Sequence, residues 1–144
     1  MSESMIFVNL PVTDLAASRA FYEAVGAVNE PKFTDETAAC MKVSETIFFM
    51  LLTPGKYRDF TPLPIADARA ASAVILCLSR ASRDAVDRTI EAGAAAGGSA
   101  DPAKPQDYGV MFGRSLLDPD GHHLEFMWMD PAAADQGAAA LEQA

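Results

Sequence analysis

Few side chains in this sequence could carry out chemistry, and the most informative of them is the carboxylate of Glu125. It lies four residues after the turn sequence Asp118-Pro119-Asp120-Gly121, on a segment with the alternating apolar pattern of a β-strand. A carboxylate in such a place can bind a metal ion, act as a general base or anchor a ligand by hydrogen bonding. His122 and His123 are adjacent, so on a strand they point to opposite faces and cannot share one metal ion.

The other reactive side chains give weaker signals. Cys40 and Cys77 are the two cysteines, and neither is in a CxxC pair or near a histidine at metal-binding spacing. Both lie in apolar, strand-like runs, which predicts two buried free thiols. No serine or cysteine triad is visible, and Gly97-Gly98 and Gly109 do not form a phosphate-binding loop.

Composition limits the class of protein. The 144 residues fit one domain, and 50% of them are hydrophobic, which is enough for a core. The net charge of −9 argues against nucleic acid and against a polybasic membrane contact. The chain has no apolar run long enough to span a bilayer, and residues 1–4 lack the pattern of a signal peptide. We therefore expect a cytoplasmic protein.

The apolar periodicity places these side chains on a repeated set of elements. Residues 5–12 predict a strand, and Thr13 or Asp14 is the expected N-cap of a helix that ends at Gly26. Residues 36–43 and 46–52 predict two further strands.

The second half repeats this order. We predict a strand at 71–79, a helix that begins at Ser82 or Asp84 and ends at Gly97-Gly98, and a hairpin formed by residues 107–117 and 122–129. Residues 53–68 predict a connection between the halves or a mobile flap. The fold class is therefore α+β, with the order β-α-β-β-β occurring twice. The Ala-rich tail at 131–144 predicts a flexible end or a short helix.

Two segments carry a resemblance to a known family. FVNLPVTDLAASRAFYEAVG resembles the first strand and helix of the vicinal-oxygen-chelate superfamily, the glyoxalase, bleomycin-resistance and extradiol-dioxygenase group, and DPDGHHLEF resembles its last hairpin. The longer stretch YGVMFGRSLLDPDGHHLEFMWMD resembles a glyoxalase-like bacterial subgroup. The resemblance implies two βαβββ modules, at about 5–52 and 71–129 with a connecting loop at 53–70. It also implies that they form one cupped mixed sheet with helices outside and a ligand site inside.

The same resemblance implies four metal ligands, and the chain departs from that pattern. The four positions correspond to Phe7, Met50, Ala73 and Glu125, of which only Glu125 can bind a hard divalent ion. Rescue could come from Glu45, from one of the two histidines after the turn, or from a neighbouring chain. We therefore expect no cofactor, with a divalent metal as the alternative. Since family members are commonly homodimers, we also expect a homodimer.

Strand alternation places His123, Glu125, Met127 and Met129 on one face, which we expect to line the cup. In this arrangement Glu125 is the candidate catalytic residue, and the expected ligand-binding side chains are Phe7, Asn9, Met50, Ala73, Arg114, His123 and Met127.

The register of the hairpin decides which residue faces Glu125. A two-residue loop places Arg114 opposite Glu125, whereas a three-residue loop with a bulge places Ser115 there. The sequence Pro-Asp-Gly favours the second arrangement, although both remain open from the sequence.

The predicted function is a small-molecule-binding protein of the glyoxalase and bleomycin-resistance type with a degenerate metal site. One alternative is an enzyme of the same superfamily, a lyase or isomerase on a thiol adduct or α-oxo compound, or a dioxygenase. Another is a structural protein that kept the fold and lost the site.

Overall fold

A computed structural model describes residues 3–139 of the chain. The first half contains the predicted β-α-β-β-β order, with a short 3-10 turn at Pro31–Phe33 between its second and third strands. Its elements are β1 (Ile6–Pro11), α1 (Leu15–Ala24), β2 (Val28–Asn29), β3 (Ala38–Lys42) and β4 (Ile47–Leu52).

The second half follows a connecting segment that contains a short helix, α2 (Pro54–Arg58). Its first strand is shorter than the predicted range of 71–79, because residues 71–74 lie outside the sheet. Its elements are β5 (Ile75–Ser79), α3 (Arg83–Ala95), β6 (Ser99–Ala100), β7 (Gln106–Asp107), β8 (Met111–Leu117) and β9 (His123–Met129), followed by α4 (Pro131–Ala134).

Each half forms its own mixed sheet. The first sheet has the strand order β1-β4-β3-β2, in which β1 and β4 are parallel. The second has the order β5-β9-β8-β6, in which β5 and β9 are parallel, and β7 also pairs with β8. The strands therefore form two sheets rather than the single continuous sheet that the resemblance implies, because the edge strands β1 and β5 do not pair with each other.

The ends of α1 follow from local chemistry. Its N-cap is Asp14, whose carboxylate accepts a hydrogen bond of 3.0 Å from the backbone N–H of Ala17. The helix stops before Gly26, whose φ of 108° lies in the region that glycine adopts without strain. Between these ends, Phe21 and Tyr22 are completely buried. The predicted caps of this helix are confirmed.

One apolar core joins the two halves. Helices α1 and α3 cover their own sheets and contact each other at Gly93, where an added Cβ would lie 2.3 Å from Leu116 Cδ2 and 2.9 Å from Val25 Cγ1. Glycine is therefore required there for the helices to approach so closely. The strand faces that point to the helices are buried, whereas the opposite faces of both sheets are largely open.

Candidate functional site

The β8–β9 turn holds the two halves together through two buried carboxylates. Asp118 accepts hydrogen bonds from the backbone N–H groups of Asp120 and His122, at 2.9 and 2.8 Å, and from the Tyr22 hydroxyl at 2.8 Å. Asp120 in turn accepts from the backbone N–H and the hydroxyl of Thr13, at 3.0 and 2.7 Å. The turn therefore binds the N-terminal end of α1. The sequence predicted the turn but not these contacts with the helix.

Burial gives this cluster unusual acid-base properties. Desolvation raises the pKa of Asp118 above its ordinary value of 3.8, although its three hydrogen bonds and the nearby His122 act in the opposite direction. Desolvation, followed by the charge of Asp118, raises the pKa of Tyr22 well above its ordinary value of 10.0. The turn and the helix thus share a hydrogen bond in which the proton is held by the phenol.

The register of the hairpin resolves the question about Arg114. Ser115 is the residue opposite Glu125, and Arg114 is opposite Phe126. The three-residue loop is the observed arrangement, with Gly121 at a φ of 93°. The placement of Arg114 in the cup is therefore wrong, because one residue of register moves a side chain to the other face of a sheet.

Arg114 lies on the helix side of the second sheet in a charged network. Its guanidinium makes two hydrogen bonds to the Asp101 carboxylate, at 3.1 and 2.7 Å, and one of 2.9 Å to Asp87 on α3. A paired, bidentate arginine of this kind positions elements of the fold. We therefore assign it a structural role.

Glu125 lies on the open face of the second sheet, with Cys77 as its neighbour on β5. The Cys77 sulfur is 3.8 Å from Glu125 Oε1. Partial desolvation by neighbouring atoms, together with the Glu125 carboxylate, raises the pKa of this thiol to about 11, although the residue as a whole is exposed. Cys77 is exposed whereas Cys40 is buried, so the prediction of two buried thiols is wrong for Cys77. The apolar run around it misled because β5 is an edge strand with one face open.

Ala73 was expected beside Glu125, and this placement is also wrong. Ala73 precedes β5, and the residue that β5 brings next to Glu125 is Cys77. The error came from the predicted start of the strand, which lies four residues later than the apolar pattern suggested.

The open face of the first sheet carries three of the other predicted residues. Phe7 and Phe48 are paired across β1 and β4, and their rings stack at 4.9 Å between centroids. Asn9 and Met50 form the next pair on the same face. The Asn9 amide donates to the Phe7 carbonyl at 3.1 Å. Met127 lies on the corresponding open face of the second sheet, so Phe7 and Met50 belong to a different sheet from Glu125.

The family's metal does not fit the donor groups of this chain. Within residues 3–139, no three His, Cys, Asp or Glu side chains are grouped closely enough to hold an ion. Near Glu125 the other donor is the protonated thiol of Cys77, and a lone carboxylate does not supply the oxygen ligands that a hard divalent ion requires. The expectation of no cofactor remains a prediction.

A cleft of about 650 Å³ brings together Asn9, Ala73 and His123 of the predicted site residues. Its floor consists of the edges of β1 and β5, and residues 57–74 form one wall. Tyr57 lines it as well, on a segment that was predicted to be a connection or flap. Its lining is mostly apolar, including Ile6, Val8, Leu63, Ile65, Val74 and Leu76. Its size and character fit a small molecule.

Two contacts fix the wall of this cleft to the hairpin turn. The guanidinium of Arg69 donates a hydrogen bond of 2.6 Å to the Pro119 carbonyl. Gly121 packs on Arg69 so closely that an added Cβ would lie 3.1 Å from the Arg69 backbone nitrogen.

The turn also contacts the end of β1. His122 Nε2 is 2.8 Å from the carbonyl of Pro11, and since a carbonyl only accepts, this nitrogen carries the proton.

His123 is the polar side chain at the base of the cleft. It starts β9, opposite Leu117 on β8 and beside Ile75 on β5. Its Nε2 atom is buried and has no hydrogen-bond partner among the described residues. Buried polar atoms without partners are uncommon in proteins. Sequence reasoning selected His123 for its face, but it gave no signal for Arg69, whose position depends on how the connecting segment folds back.

Comparison with known proteins supports the fold. No protein-family model matches the chain, and no curated protein matches it. Among solved structures, a hypothetical protein from S. aureus aligns at a TM-score of 0.73 and 23% identity, over 89% of this chain and 94% of that one. A glyoxalase-related enzyme from Fulvimarina pelagi aligns at 0.72 and 21%, over 88% of each chain.

A third similar structure is a glyoxalase/bleomycin resistance protein/dioxygenase family enzyme from Burkholderia phytofirmans PsJN. It aligns at a TM-score of 0.69 and 17% identity, over 88% of this chain and 99% of that one. The chain therefore has the fold of the glyoxalase/bleomycin-resistance/dioxygenase proteins, the vicinal-oxygen-chelate fold. The predicted fold class is confirmed. Among the described residues, no helix is both long and apolar enough to cross a membrane.

Proposed function

We propose that this protein binds a small molecule in the cleft between β1, β5 and residues 57–74, and that its ancestral type of metal site is degenerate. The observation that carries the proposal is the cleft itself, about 650 Å³ in volume and lined mainly by apolar side chains. Small-molecule sites are of this size, and they combine an apolar lining with a few polar groups. Asn9, Tyr57 and His123 supply such groups here.

One pair of substitutions tests the binding part of this proposal. Ala73→Trp fills the cleft, and Ala70→Trp adds the same bulk to a neighbouring exposed residue that does not line it. With the fluorescent probe 8-anilinonaphthalene-1-sulfonate, we expect saturable binding that Ala73→Trp weakens about tenfold, a loss of about 1.4 kcal/mol. Ala70→Trp should leave the affinity unchanged. Equal affinities in the two variants would exclude the cleft as the binding site.

The metal part of the proposal has its own measurement. Calorimetric titration with Ni²⁺, Zn²⁺ or Mn²⁺ should give no tight stoichiometric binding, because Glu125 lacks the partners that such ions require. Tight binding of one ion per chain, abolished by Glu125→Gln, would contradict the degenerate site. It would also favour the alternative of a lyase, isomerase or dioxygenase in which Glu125 is a metal ligand or a base.

We also propose that the protein is a cytoplasmic homodimer. The dimer is supported by two exposed apolar side chains on β1 and β5 that do not line the cleft. Phe7 and Ile75 are 50% and 52% exposed. Exposed apolar surface is characteristic of sites that bind another protein chain. A second copy would cover the open faces that carry Phe7, Met50 and Glu125.

Analytical ultracentrifugation tests the dimer. Phe7→Lys should shift the protein to a monomer, whereas Phe33→Lys, at a residue that is 67% exposed on a different part of the surface, should leave the dimer intact. A wild-type protein that is monomeric at about 100 µM would exclude the dimer. Its dissociation constant would then be higher than is typical of a specific interface.

A further inference from the structure

Among residues 3–139, no acidic side chain lines the cleft, although 20 of the 144 residues of the chain are Asp or Glu. The polar lining groups are instead uncharged or basic, such as Tyr57, Ser72, Arg69 and the two histidines after the turn. We propose that the cleft selects its ligand by charge, so that it takes an apolar molecule that is neutral or carries one negative charge and rejects an apolar cation. This inference rests on the proposed function.

Two acidic residues beside the cleft have carboxylates that accept hydrogen bonds from the protein. Asp67 lies within the wall segment, but its carboxylate accepts a hydrogen bond of 3.0 Å from the backbone N–H of Arg69. Asp120 lies in the adjoining turn, and its carboxylate is occupied by Thr13. Both residues line a neighbouring pocket and neither lines the cleft, where a carboxylate could neutralise a bound ammonium group.

The groups that do face the cleft are suited to an acceptor. One nitrogen atom of the Arg69 guanidinium donates to the Pro119 carbonyl, which leaves further donors on the same group. His122 already donates from Nε2 to Pro11. Burying an ammonium against apolar side chains without a carboxylate is costly, whereas a carboxylate or hydroxyl of the ligand finds donors.

The net charge of −9 opposes this preference, because it attracts cations and repels anions at long range. At an ionic strength of 0.15 M, such interactions are screened over about 8 Å. The desolvated groups within contact distance therefore decide the selectivity. Repulsion by the distant charges should still be measurable. Because salt screens this repulsion, the affinity for an anion should increase when the salt concentration is raised from about 0.02 to about 0.15 M.

Three ligands with the same eight-carbon chain test the inference: octanoate, octanol and octylamine. Each is used below its micelle concentration, at neutral pH, to displace 8-anilinonaphthalene-1-sulfonate from the assembled wild-type protein. We expect octanoate and octanol to displace the probe, and octylamine to need at least a tenfold higher concentration. Displacement by octylamine within threefold of octanoate would overturn the charge selection while leaving the proposed function intact. If no ligand displaces the probe, both proposals are overturned.

A charge-reversal variant makes the test specific to this cleft. Ala71 lines it, and Ala70 does not. Ala71→Glu should weaken octanoate at least tenfold and improve octylamine, because it supplies the carboxylate that the lining lacks. Ala70→Glu adds the same charge one residue away and should change both affinities by less than threefold. Equal effects of the two variants would show that net charge, rather than the lining, controls selectivity, and would overturn the inference.

Discussion

The phenolic oxygen of Tyr22 on α1 donates a hydrogen bond of 2.8 Å to the carboxylate of Asp118 in the β8–β9 turn, and both residues are buried. The helix of the first half is thereby joined to the hairpin that carries His123 and Glu125. Because the bond crosses between the halves, the position of the candidate site residues depends on the core of the other half.

Removing the Tyr22 hydroxyl should destabilise the whole chain. Tyr22→Phe leaves the ring packing against Phe49 intact but removes one hydrogen bond to a buried carboxylate, which predicts a loss of about 1–3 kcal/mol in the free energy of unfolding. Urea denaturation measures it. Tyr108→Phe is the control, because Tyr108 is 37% exposed, and it should change stability by less than about 0.5 kcal/mol. Equal effects would contradict a special role for the Tyr22 bond.

Ionisation of Asp118 should make stability depend on pH. Because burial raises its pKa above 3.8 in the folded state, the folded protein holds this proton more tightly than the unfolded chain does. Its contribution to stability is therefore present below 3.8 and decreases as pH rises through the higher folded pKa. Relative to Asp118→Asn, the wild type should lose stability as the pH rises above 3.8.

Denaturation midpoints of both proteins at each pH give this difference. Carboxylates such as Asp107, whose pKa the Arg83 guanidinium lowers to about 2, act in the opposite direction, but they are common to both proteins and cancel. If the difference in stability between the two proteins stays constant or increases with pH, burial does not raise the pKa of Asp118.

Close packing at Gly93 predicts a large effect of a single methyl group. Gly93→Ala forces Leu116 and Val25 apart, which should lower stability by about 1–3 kcal/mol despite the higher helix propensity of alanine. Gly55→Ala on α2 is the matched control, because nothing lies within 4 Å of its added Cβ, and it should leave stability unchanged or slightly raised. Thermal unfolding of both variants shows whether close packing or helix propensity determines the effect of the added methyl group on stability.

The pair formed by Cys77 and Glu125 predicts the reactivity of the thiol. With a pKa of about 11, Cys77 is mostly protonated at pH 8 and should react slowly with a disulfide reagent, although it is exposed. Glu125→Gln removes the negative charge, so the reaction at pH 8 should become faster. The measurement uses a Cys40→Ala background, so that Cys77 is the one thiol present. An unchanged rate would mean that the Glu125 carboxylate does not face Cys77.

The sequence predicted the features that depend on local patterns. The observed caps, Asp14 and Ser82, are each one of the two residues that the sequence offered for that helix. The repeated order of elements also follows from residue type and spacing. The register at Ser115 was favoured by the Pro-Asp-Gly loop and is confirmed.

The sequence could not give the features that depend on contacts between distant segments. The separation into two sheets follows from how the halves pack, which no short pattern encodes. The pairing of Arg114 with Asp87 and Asp101 likewise depends on segments that are distant from it in sequence. Arg69 gave no signal, since its position depends on a turn 50 residues away.

The packing of Gly121 on Arg69 links ligand affinity to the stability of the hairpin. The turn and the wall of the cleft approach each other closely there, so a change that moves the turn should also move the wall. A change that destabilises the turn, such as the ionisation of Asp118, should then also weaken the binding of a ligand in the cleft. By the same reciprocity, a bound ligand should make that carboxyl group harder to alter, so occupancy of the cleft can be read remotely from the titration of a side chain that never touches the ligand.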